Sequence, residues 1–283
     1  MKLIVQPEDG LAPLLTAIKK AKTRIDLVIF RFDVSELEDA LEAAVKRGVV
    51  VRALVAHTNR KGEKKLRELE GRLLGHGVTV DRTADALVRY HGKLLVIDNR
   101  RAFILGFNYT YADIRKSRSF GVMITRKKVV RQILQLISAD ANRQDFDGAL
   151  PNLVISPENS RAKLAKFIKK ARRELLIYDP CISDDAMIKL LKARAAAGVR
   201  VRILGNLEKK WRGKDLRVED VPGTRLHVRA IVRDGRDAFV GSQSLRKLEL
   251  DGRREVGIIV RNPQVVGRLM ATFKADWKRR PQD

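Results

Sequence analysis

The chain contains an internal repeat, and this repeat constrains the possible folds more than any other feature of the sequence. Residues 91–108 read HGKLLVIDNRRAFILGFN, and residues 227–244 read HVRAIVRDGRDAFVGSQS. Each segment places a basic residue two positions after its histidine and an aspartate five positions after that. A repeat of about 140 residues is too long for one unit of a solenoid, so it indicates a duplicated domain.

The repeat extends beyond these two segments. LIVQPEDG at 3–10 corresponds to LVISPENS at 153–160, so the early parts of the two copies differ by 150 positions, whereas the two histidines differ by 136. The second copy is therefore shorter. We predict an N-terminal half at 1–143, a linker at 144–152 that contains Asp, Gly, Pro and Asn, and a C-terminal half at 153–283.

Within each half, apolar strands alternate with amphipathic helices. In the first half a continuous apolar strand at 25–32, a helix and a second apolar strand at 49–56 indicate a parallel pair with a right-handed crossover. We therefore predict an α/β fold of two homologous sandwich halves, each with a mixed β-sheet flanked by helices, related by pseudo-two-fold symmetry. We expect residues 110–119, TYADIRKSRS, to form an irregular loop that carries Arg115, Lys116 and Arg118 close to the site.

The histidine and the basic residue of the first segment lie on the same side of one strand. His91 and Lys93 are one strand alternation apart, so both side chains leave the same face of the run LLVI. Lysine supplies a positive point charge, and imidazole acts as a nucleophile or a proton carrier near neutral pH. A single histidine on a strand is more often structural, but its repetition at His227, with Arg229 two positions later, favours a phosphate site.

The pattern H-x-K-x4-D, followed by a Gly or Ser and an Asn and present twice in one chain, resembles the phospholipase D superfamily of phosphodiesterases. The resemblance covers essentially the whole chain. It implies that His91 and His227 meet at one phosphorus across the interface of the halves. It further implies that His91 is the nucleophile that becomes phosphohistidine, and that His227 is the general acid.

The same resemblance assigns roles to further residues of the two segments. The residues expected to hold the phosphate oxygens are Lys93, Asn108, Arg229, Ser242 and Ser244. Asp98 and Asp234 complete the two catalytic motifs, although an aspartate at a strand end commonly secures the neighbouring turn. Glu255, 28 residues after His227, is expected to orient the imidazole of His227, and Ser119 occupies the equivalent place in the first half.

Composition indicates the partners. The net charge of +25 favours an anionic phospholipid or a membrane surface as the partner, with nucleic acid as the alternative. Cys181 is the single cysteine, which fits a reducing cytosol and, with four scattered histidines, predicts no metal and no cofactor. Because the duplication supplies both histidines, we expect a monomer without an obligate protein partner.

Three functions remain open at this level. The leading one is a phospholipase D-like or cardiolipin synthase-like enzyme that acts on phospholipid from the cytoplasm, peripheral to the inner face of the membrane. The second is a nuclease that cleaves DNA or RNA, which the charge favours. The third is a non-catalytic phosphate-binding relative, because Arg229 stands where the family has lysine.

Overall fold

The computed structural model describes residues 1–58, 62–147, 150–208 and 216–279. The elements of the N-terminal half are β1 (Lys2–Gln6), α1 (Ala12–Lys19), β2 (Arg24–Ile29), α2 (Ser35–Lys46), β3 (Val50–Val55), α3 (Glu63–Gly75), β4 (Thr79–Arg82), β5 (Arg89–Tyr90), β6 (Leu94–Ile97), β7 (Arg101–Leu105), α4 (Tyr111–Arg115), β8 (Ser117–Ile124) and α5 (Lys127–Ala141).

The C-terminal half repeats this order, except that no counterpart of α3 occurs among its described residues. Its elements are β9 (Leu153–Ser156), α6 (Ser160–Lys169), β10 (Glu174–Ile182), α7 (Asp185–Ala196), β11 (Arg200–Leu207), β12 (Leu216–Glu219), β13 (Arg225–Leu226), β14 (Ala230–Arg233), β15 (Asp237–Gly241), α8 (Lys247–Asp251), β16 (Arg253–Val260) and α9 (Pro263–Lys278).

Each half builds one mixed sheet. The first sheet runs in the order β1-β8-β7-β6-β2-β3-β4, with β2, β3 and β4 parallel and the other neighbours antiparallel. The second sheet has the equivalent order, with β9 paired to β16. The predicted parallel pair, β2 with β3, is confirmed.

The two halves exchange one short strand each. β5 of the first half pairs with β16 of the second sheet, and β13 of the second half pairs with β8 of the first sheet. Within the described residues, each sheet therefore has eight strands, of which one comes from the other half. These exchanged strands lead directly into the two histidine segments.

Among the described residues, the buried apolar side chains form three cores. The largest lies between the two sheets and contains α5 and α9, with residues such as Val122, Ile133, Leu176 and Phe273 from both halves. The outer face of the first sheet packs against α1, α2 and α3, and that of the second packs against α6 and α7. The predicted fold class, two sandwich halves with mixed sheets flanked by helices, is confirmed.

The predicted linker at 144–152 lies between α5 and β9 and contains neither helix nor strand over its described part. Over the described ranges of the chain, none of the helices combines the length and the apolarity needed to cross a membrane.

Candidate active site

The exchanged strands place each histidine against the opposite half. The backbone N–H of His91, which follows β5, donates to the carbonyl of Arg254 in β16 at 2.8 Å. The backbone N–H of His227, which follows β13, donates to the carbonyl of Arg118 in β8 at 3.2 Å. Each histidine therefore lies against a strand of the other half.

His91 is held by a buried carboxylate. Its Nδ1 lies 2.8 Å and 2.9 Å from the two oxygens of Glu255, and both side chains are buried. The ring of Phe30 meets the imidazole edge-on, with the ring centroids 4.4 Å apart. A proton on Nδ1 that is donated to Glu255 leaves the lone pair of Nε2 available as a nucleophile. We expected Glu255 beside His227, and that prediction is wrong because the exchanged strand β5 brings His91 to it.

Burial and the neighbouring cations keep the imidazole of His91 neutral. Burial, and then the charge of Lys93, hold the pKa of His91 well below its ordinary value. Burial raises the pKa of Glu255 to about 6, against the opposing effect of Lys93. Burial also lowers the pKa of Lys93 to about 7, and its ammonium group donates to the carbonyl of His91 at 2.6 Å. At neutral pH an ionised Glu255 therefore faces a neutral imidazole.

His227 has a looser carboxylate partner. Its Nδ1 lies 3.1 Å from Oδ2 of Asp113 but without the alignment of a hydrogen bond. Burial, and then the charge of Arg229, lower the pKa of His227 to about 2. The hydroxyl of Ser119, at the position equivalent to Glu255, donates to the backbone carbonyl of His227 and not to its ring. The two histidines are thus supported unequally.

Asp113 was not predicted as a site residue. Its carboxylate accepts the backbone N–H and the side-chain amide of Asn108 at 2.9 Å and 2.7 Å, and the guanidinium of Arg225 at 2.6 Å. Residues 110–119 form α4 and the start of β8, not the irregular loop that we expected. The available signal was that the aligned position of the second half is also acidic, Glu249.

Arg229 has free hydrogen-bonding capacity. Its Nε donates to the hydroxyl of Ser244 at 3.2 Å and lies 3.8 Å from Glu249, while its Nη1 is buried without a partner. A buried guanidinium nitrogen without an acceptor is costly unless a ligand satisfies it. An anionic oxygen is the acceptor that fits this nitrogen best.

The remaining predicted phosphate ligands contact protein groups. One amide hydrogen of Asn108 is used by Asp113, and its Oδ1 is buried without a partner. The hydroxyl of Ser242 accepts the N–H of Val256 at 3.1 Å and hydrogen-bonds Glu255. Ser242 and Ser244 therefore support Glu255 and Arg229, and their contact with a phosphate stays a prediction.

Asp98 and Asp234 lie at the far ends of their strands. The Asp98 carboxylate accepts the backbone N–H groups of residues 22–24, and Asp234 accepts those of residues 172–174. They anchor β6 and β14 to the strand next to them. Their inclusion among the catalytic residues is therefore corrected to a structural role. Arg118 lies next to His227 through its backbone carbonyl, but its guanidinium is paired with Asp276 and Glu8.

The family of the protein follows from a match at both copies of the repeat. A family model described as "Cardiolipin synthase, PLD-like domain" matches residues 14–141 and again residues 164–277. The chain belongs to the phospholipase D superfamily. The two matched ranges contain both exchanged strands and both histidines.

Two curated proteins are similar to this phospholipase D superfamily member. Over an alignment of 331 residues it is 24% identical to the major cardiolipin synthase ClsA of Bacillus subtilis (strain 168), covering 97% of this chain and 68% of ClsA. Over 128 residues it is 26% identical to the mitochondrial cardiolipin hydrolase of Danio rerio, covering 45% of this chain and 55% of that protein.

Solved structures share the fold over nearly the whole chain. Polyphosphate kinase from Porphyromonas gingivalis superposes with a TM-score of 0.79 at 19% identity, covering 98% of this chain and 50% of the kinase. Phosphatidylserine synthase from Haemophilus influenzae Rd KW20 superposes with a TM-score of 0.72 at 13% identity, covering 98% of this chain and 85% of the synthase. At these identities the likeness shows the common fold.

Proposed function

We propose that the protein is a phospholipid phosphodiesterase or phosphatidyltransferase that works through a phosphohistidine on His91. The observation that carries this proposal is the pairing of the His91 Nδ1 with the Glu255 carboxylate at 2.8 Å. A carboxylate at this nitrogen fixes the tautomer that leaves Nε2 nucleophilic, and it stabilises the imidazolium that forms on attack.

The first step is attack on the phosphorus of the diester. A bond forms between Nε2 of His91 and phosphorus, and the bond from phosphorus to the leaving oxygen breaks. His227 donates its proton to that oxygen. In the second step His227 takes a proton from water or an alcohol, whose oxygen attacks phosphorus and breaks the bond to His91. Water gives hydrolysis, and a lipid hydroxyl gives phosphatidyl transfer.

Binding of the phosphodiester would activate the resting site by offsetting its cationic residues. Burial and the charges of Lys93 and Arg229 disfavour protonation of His227 while the site is empty. A phosphodiester carries a negative charge, so its binding offsets these cations and raises the affinity of His227 for a proton. Arg229 Nη1 and the Lys93 ammonium would hold the non-bridging oxygens during attack. The nucleophile and the acid–base group are both imidazoles and the charge is offset by Lys93 and Arg229, so the proposed reaction needs no metal ion.

Phospholipid is the preferred substrate class because the curated relatives are a cardiolipin synthase and a cardiolipin hydrolase. Cleavage of DNA or RNA is the second candidate, and the net charge of +25 favours it. The third alternative, phosphate binding without catalysis, is supported only by Arg229 in place of lysine, and arginine retains the positive charge.

One experiment separates these alternatives. Labelled phosphatidylglycerol vesicles, labelled single- and double-stranded DNA and an activated soluble phosphodiester are each incubated with the protein in EDTA. We expect turnover of the lipid and of the activated diester, with acid-labile label mapped to the peptide of His91. His91→Ala should abolish the adduct, whereas His76→Ala, on a histidine outside the site, should not.

Several outcomes would contradict the proposal. Turnover of DNA without turnover of lipid would establish the nuclease reading. Loss of activity in EDTA, restored by Zn²⁺ or Mg²⁺, would refute the metal-free mechanism. Label on His227 in the His91→Ala protein would reverse the roles, and binding of all three substrates without turnover would establish a binding protein.

A further inference from the structure

Two large apolar side chains are exposed next to each other close to the candidate active site. Val88 and Leu248 expose 62% and 42% of their surfaces, and they are two of four large apolar residues exposed in the described part of the chain. The N–H of Val88 donates to the carbonyl of Gly252 at 3.1 Å. A Cβ placed on Gly252 would lie 3.2 Å from Cδ1 of Leu248 and 3.8 Å from Cγ2 of Val88. We call Val88 and Leu248 the rim pair.

The rim pair lies directly beside the residues of the candidate active site. Val88 precedes β5, the exchanged strand that leads to His91 three residues later. Leu248 lies on α8 next to Glu249, whose carboxylate is 3.8 Å from Nε of Arg229. A surface that contacts the rim pair therefore also lies close to the candidate active site.

The fold does not require apolar residues at these two positions. The pseudo-two-fold symmetry relates Val88 to Thr224 and Leu248 to Ala112, which precede His227 and Asp113 in the chain. Thr224 is half-buried and Ala112 is exposed, and the same strand and helix form there without a large apolar side chain. The rim pair is therefore present beside His91 and has no apolar equivalent beside His227, and exposure of such residues beside a polar surface marks a contact site.

Two exposed cationic side chains flank the rim pair. Arg246 and Lys247 immediately precede Leu248 in the chain, and Arg246 lies 3.9 Å from Glu249. Among the acidic residues of this edge, Glu249 is buried and Asp251 is paired with Arg161 at 2.6 Å. Asp85 is the exposed acidic residue nearest in sequence to Val88. The edge thus combines apolar tips with an excess of positive charge.

We propose that the rim pair and its flanking cations are the edge by which the protein docks on an anionic phospholipid bilayer. Val88 and Leu248 enter the boundary between headgroups and acyl chains, while Arg246 and Lys247 contact the anionic headgroups. Docking at this edge brings the phosphodiester of a bilayer lipid to His91 without extraction of the lipid into water. This inference rests on the phospholipid function proposed above.

A bilayer suits this edge better than a nucleic acid. Transfer of apolar side chains from water to an apolar medium lowers the free energy. A bilayer supplies that medium beside its anionic headgroups. The phosphate backbone of DNA attracts the cations equally but offers no apolar phase to Val88 and Leu248. The apolar part of binding also persists at high salt, whereas the electrostatic part is screened.

The test compares two double variants of the full chain. Val88→Ser with Leu248→Ser removes the rim pair, and Val50→Ser with Leu74→Ser removes the other two exposed apolar residues as a matched control. Binding to vesicles of equal phosphatidylcholine and phosphatidylglycerol is measured by co-sedimentation at 0.1 M and 0.5 M salt. We expect the rim variant to lose on the order of tenfold in affinity, most clearly at 0.5 M salt, and the control variant to bind as the wild type does.

Turnover of a soluble phosphodiester separates this proposal from the proposed chemistry. We expect the rim variant to process the soluble substrate at the wild-type rate and to lose activity only on vesicles. Three binding results would overturn the docking edge. The wild type could fail to bind vesicles, the rim variant could bind them as tightly as the wild type, or the control variant could lose as much affinity as the rim variant. Loss of soluble turnover, or a matching loss of DNA binding, in the rim variant would overturn it as well. Failure of the soluble reaction in the wild type would instead refute the proposed function.

A second variant gives a direct signal. In Val88→Trp, the new indole should shift its fluorescence to shorter wavelength with these vesicles and be quenched by brominated acyl chains. Leu74→Trp, the control, should show neither change. An unshifted and unquenched Val88→Trp in the presence of bound vesicles would show that the protein docks through another surface.

Discussion

Nδ1 of His91 lies 2.8 Å from the carboxylate of Glu255, which is 164 residues further along the chain and in the opposite half. The contact exists because β5, which precedes His91, pairs with β16, which contains Glu255. The equivalent exchange brings His227 to β8, where Ser119 occupies the place of Glu255. Two nearly symmetric exchanges thus give the two imidazoles different partners, and this difference favours His91 as the nucleophile.

The first prediction tests that difference with Glu255→Gln. A neutral amide still accepts the Nδ1 proton of His91 but cannot stabilise the imidazolium that forms on attack. We expect the rate of phosphoenzyme formation from an activated diester to fall by roughly 10²-fold or more. The measurement is rapid-quench labelling, with Glu38→Gln, which changes a surface ion pair with Arg72, as the control.

Asp113→Asn provides the contrasting variant. Its effect should be larger for substrates that need a proton on the leaving oxygen than for an activated diester, because Asp113 supports His227. If Glu255→Gln leaves adduct formation intact while Asp113→Asn slows it with the activated diester, the nucleophile is His227.

The sequence predicts much of this site but not which half supports each histidine. The repeat of His91 and His227, the parallel strands and the strand-end aspartates follow from local patterns of residue type and spacing. The position of Glu255 28 residues after His227 suggested a contact within one half. Spacing along the chain does not reveal an exchanged strand, because β5 and β13 are each two residues long and have no periodicity of their own.

Asp113 was missed for a related reason. Its segment, TYADIRKSRS, has the polar composition of a loop, yet five residues form α4 with the side chain of Thr110 capping its start. The pattern that could have identified Asp113 is the aligned acidic pair with Glu249, five positions after Asn108 and Ser244. Its contact with His227 depends on tertiary packing across the interface.

The second prediction concerns the pH dependence of the reaction. Burial lowers the pKa of Lys93 to about 7, so its positive charge is lost as the pH rises through that value. We expect kcat/KM to fall above about pH 7 because the uncharged amine binds phosphate less well. We call this fall the alkaline limb of the pH profile. The alkaline limb of kcat should lie at higher pH than that of kcat/KM, because bound phosphate favours the ammonium form of Lys93.

Lys93→Arg should remove this alkaline limb, since a guanidinium stays charged throughout the range. Lys247→Arg, a change at the exposed start of α8, is the control and should leave the alkaline limb in place. An unchanged limb in Lys93→Arg would assign it to a different group.

The third prediction concerns the strand-end aspartates. Burial alone would raise the pKa of Asp98, but backbone N–H donors at residues 22–24 outweigh it and hold the pKa below its ordinary value. Asp98→Ala removes the carboxylate that accepts these hydrogen bonds. We expect a loss of about 2 kcal/mol in the free energy of unfolding. Asp234→Ala should behave alike, because Asp234 makes the equivalent contacts. The measurement is urea unfolding at pH 7.

The pH dependence has a defined sign. Because the folded-state pKa of Asp98 is depressed, its stabilisation is fully present above the unfolded pKa of about 3.9 and is lost as the pH falls through the folded pKa. The difference in the free energy of unfolding between Asp98→Ala and the wild type should therefore become smaller at acidic pH. Turnover per folded molecule should be unchanged, and a large loss of turnover at pH 7 would return Asp98 to the catalytic residues.

The last prediction concerns two ion pairs that join the halves at symmetric positions. Arg118 of β8 donates to both oxygens of Asp276 in α9, at 2.7 Å and 3.0 Å, and Arg254 of β16 donates to Asp140 in α5 at 3.0 Å. Asp276 also accepts the hydroxyl of Tyr178 at 2.6 Å. Because Arg118 and Arg254 lie on the strands that receive the two histidine segments, these pairs fix the strands that position both imidazoles.

The two pairs differ in how well they satisfy their carboxylates. Burial raises the pKa of Asp140 to about 6, against the charge of Arg254, so its ionised form is less favoured. Asp276→Ala should cost roughly 3–5 kcal/mol in the free energy of unfolding, because it leaves Arg118 with less compensation and Tyr178 without its acceptor. Each arginine keeps a second carboxylate in these variants, Glu8 beside Arg118 and Glu158 beside Arg254. Asp140→Ala should cost less, because the ionised form of Asp140 is already disfavoured by burial in the wild type. Urea unfolding of both variants gives this order, and equal losses would show that the pairs are energetically equivalent.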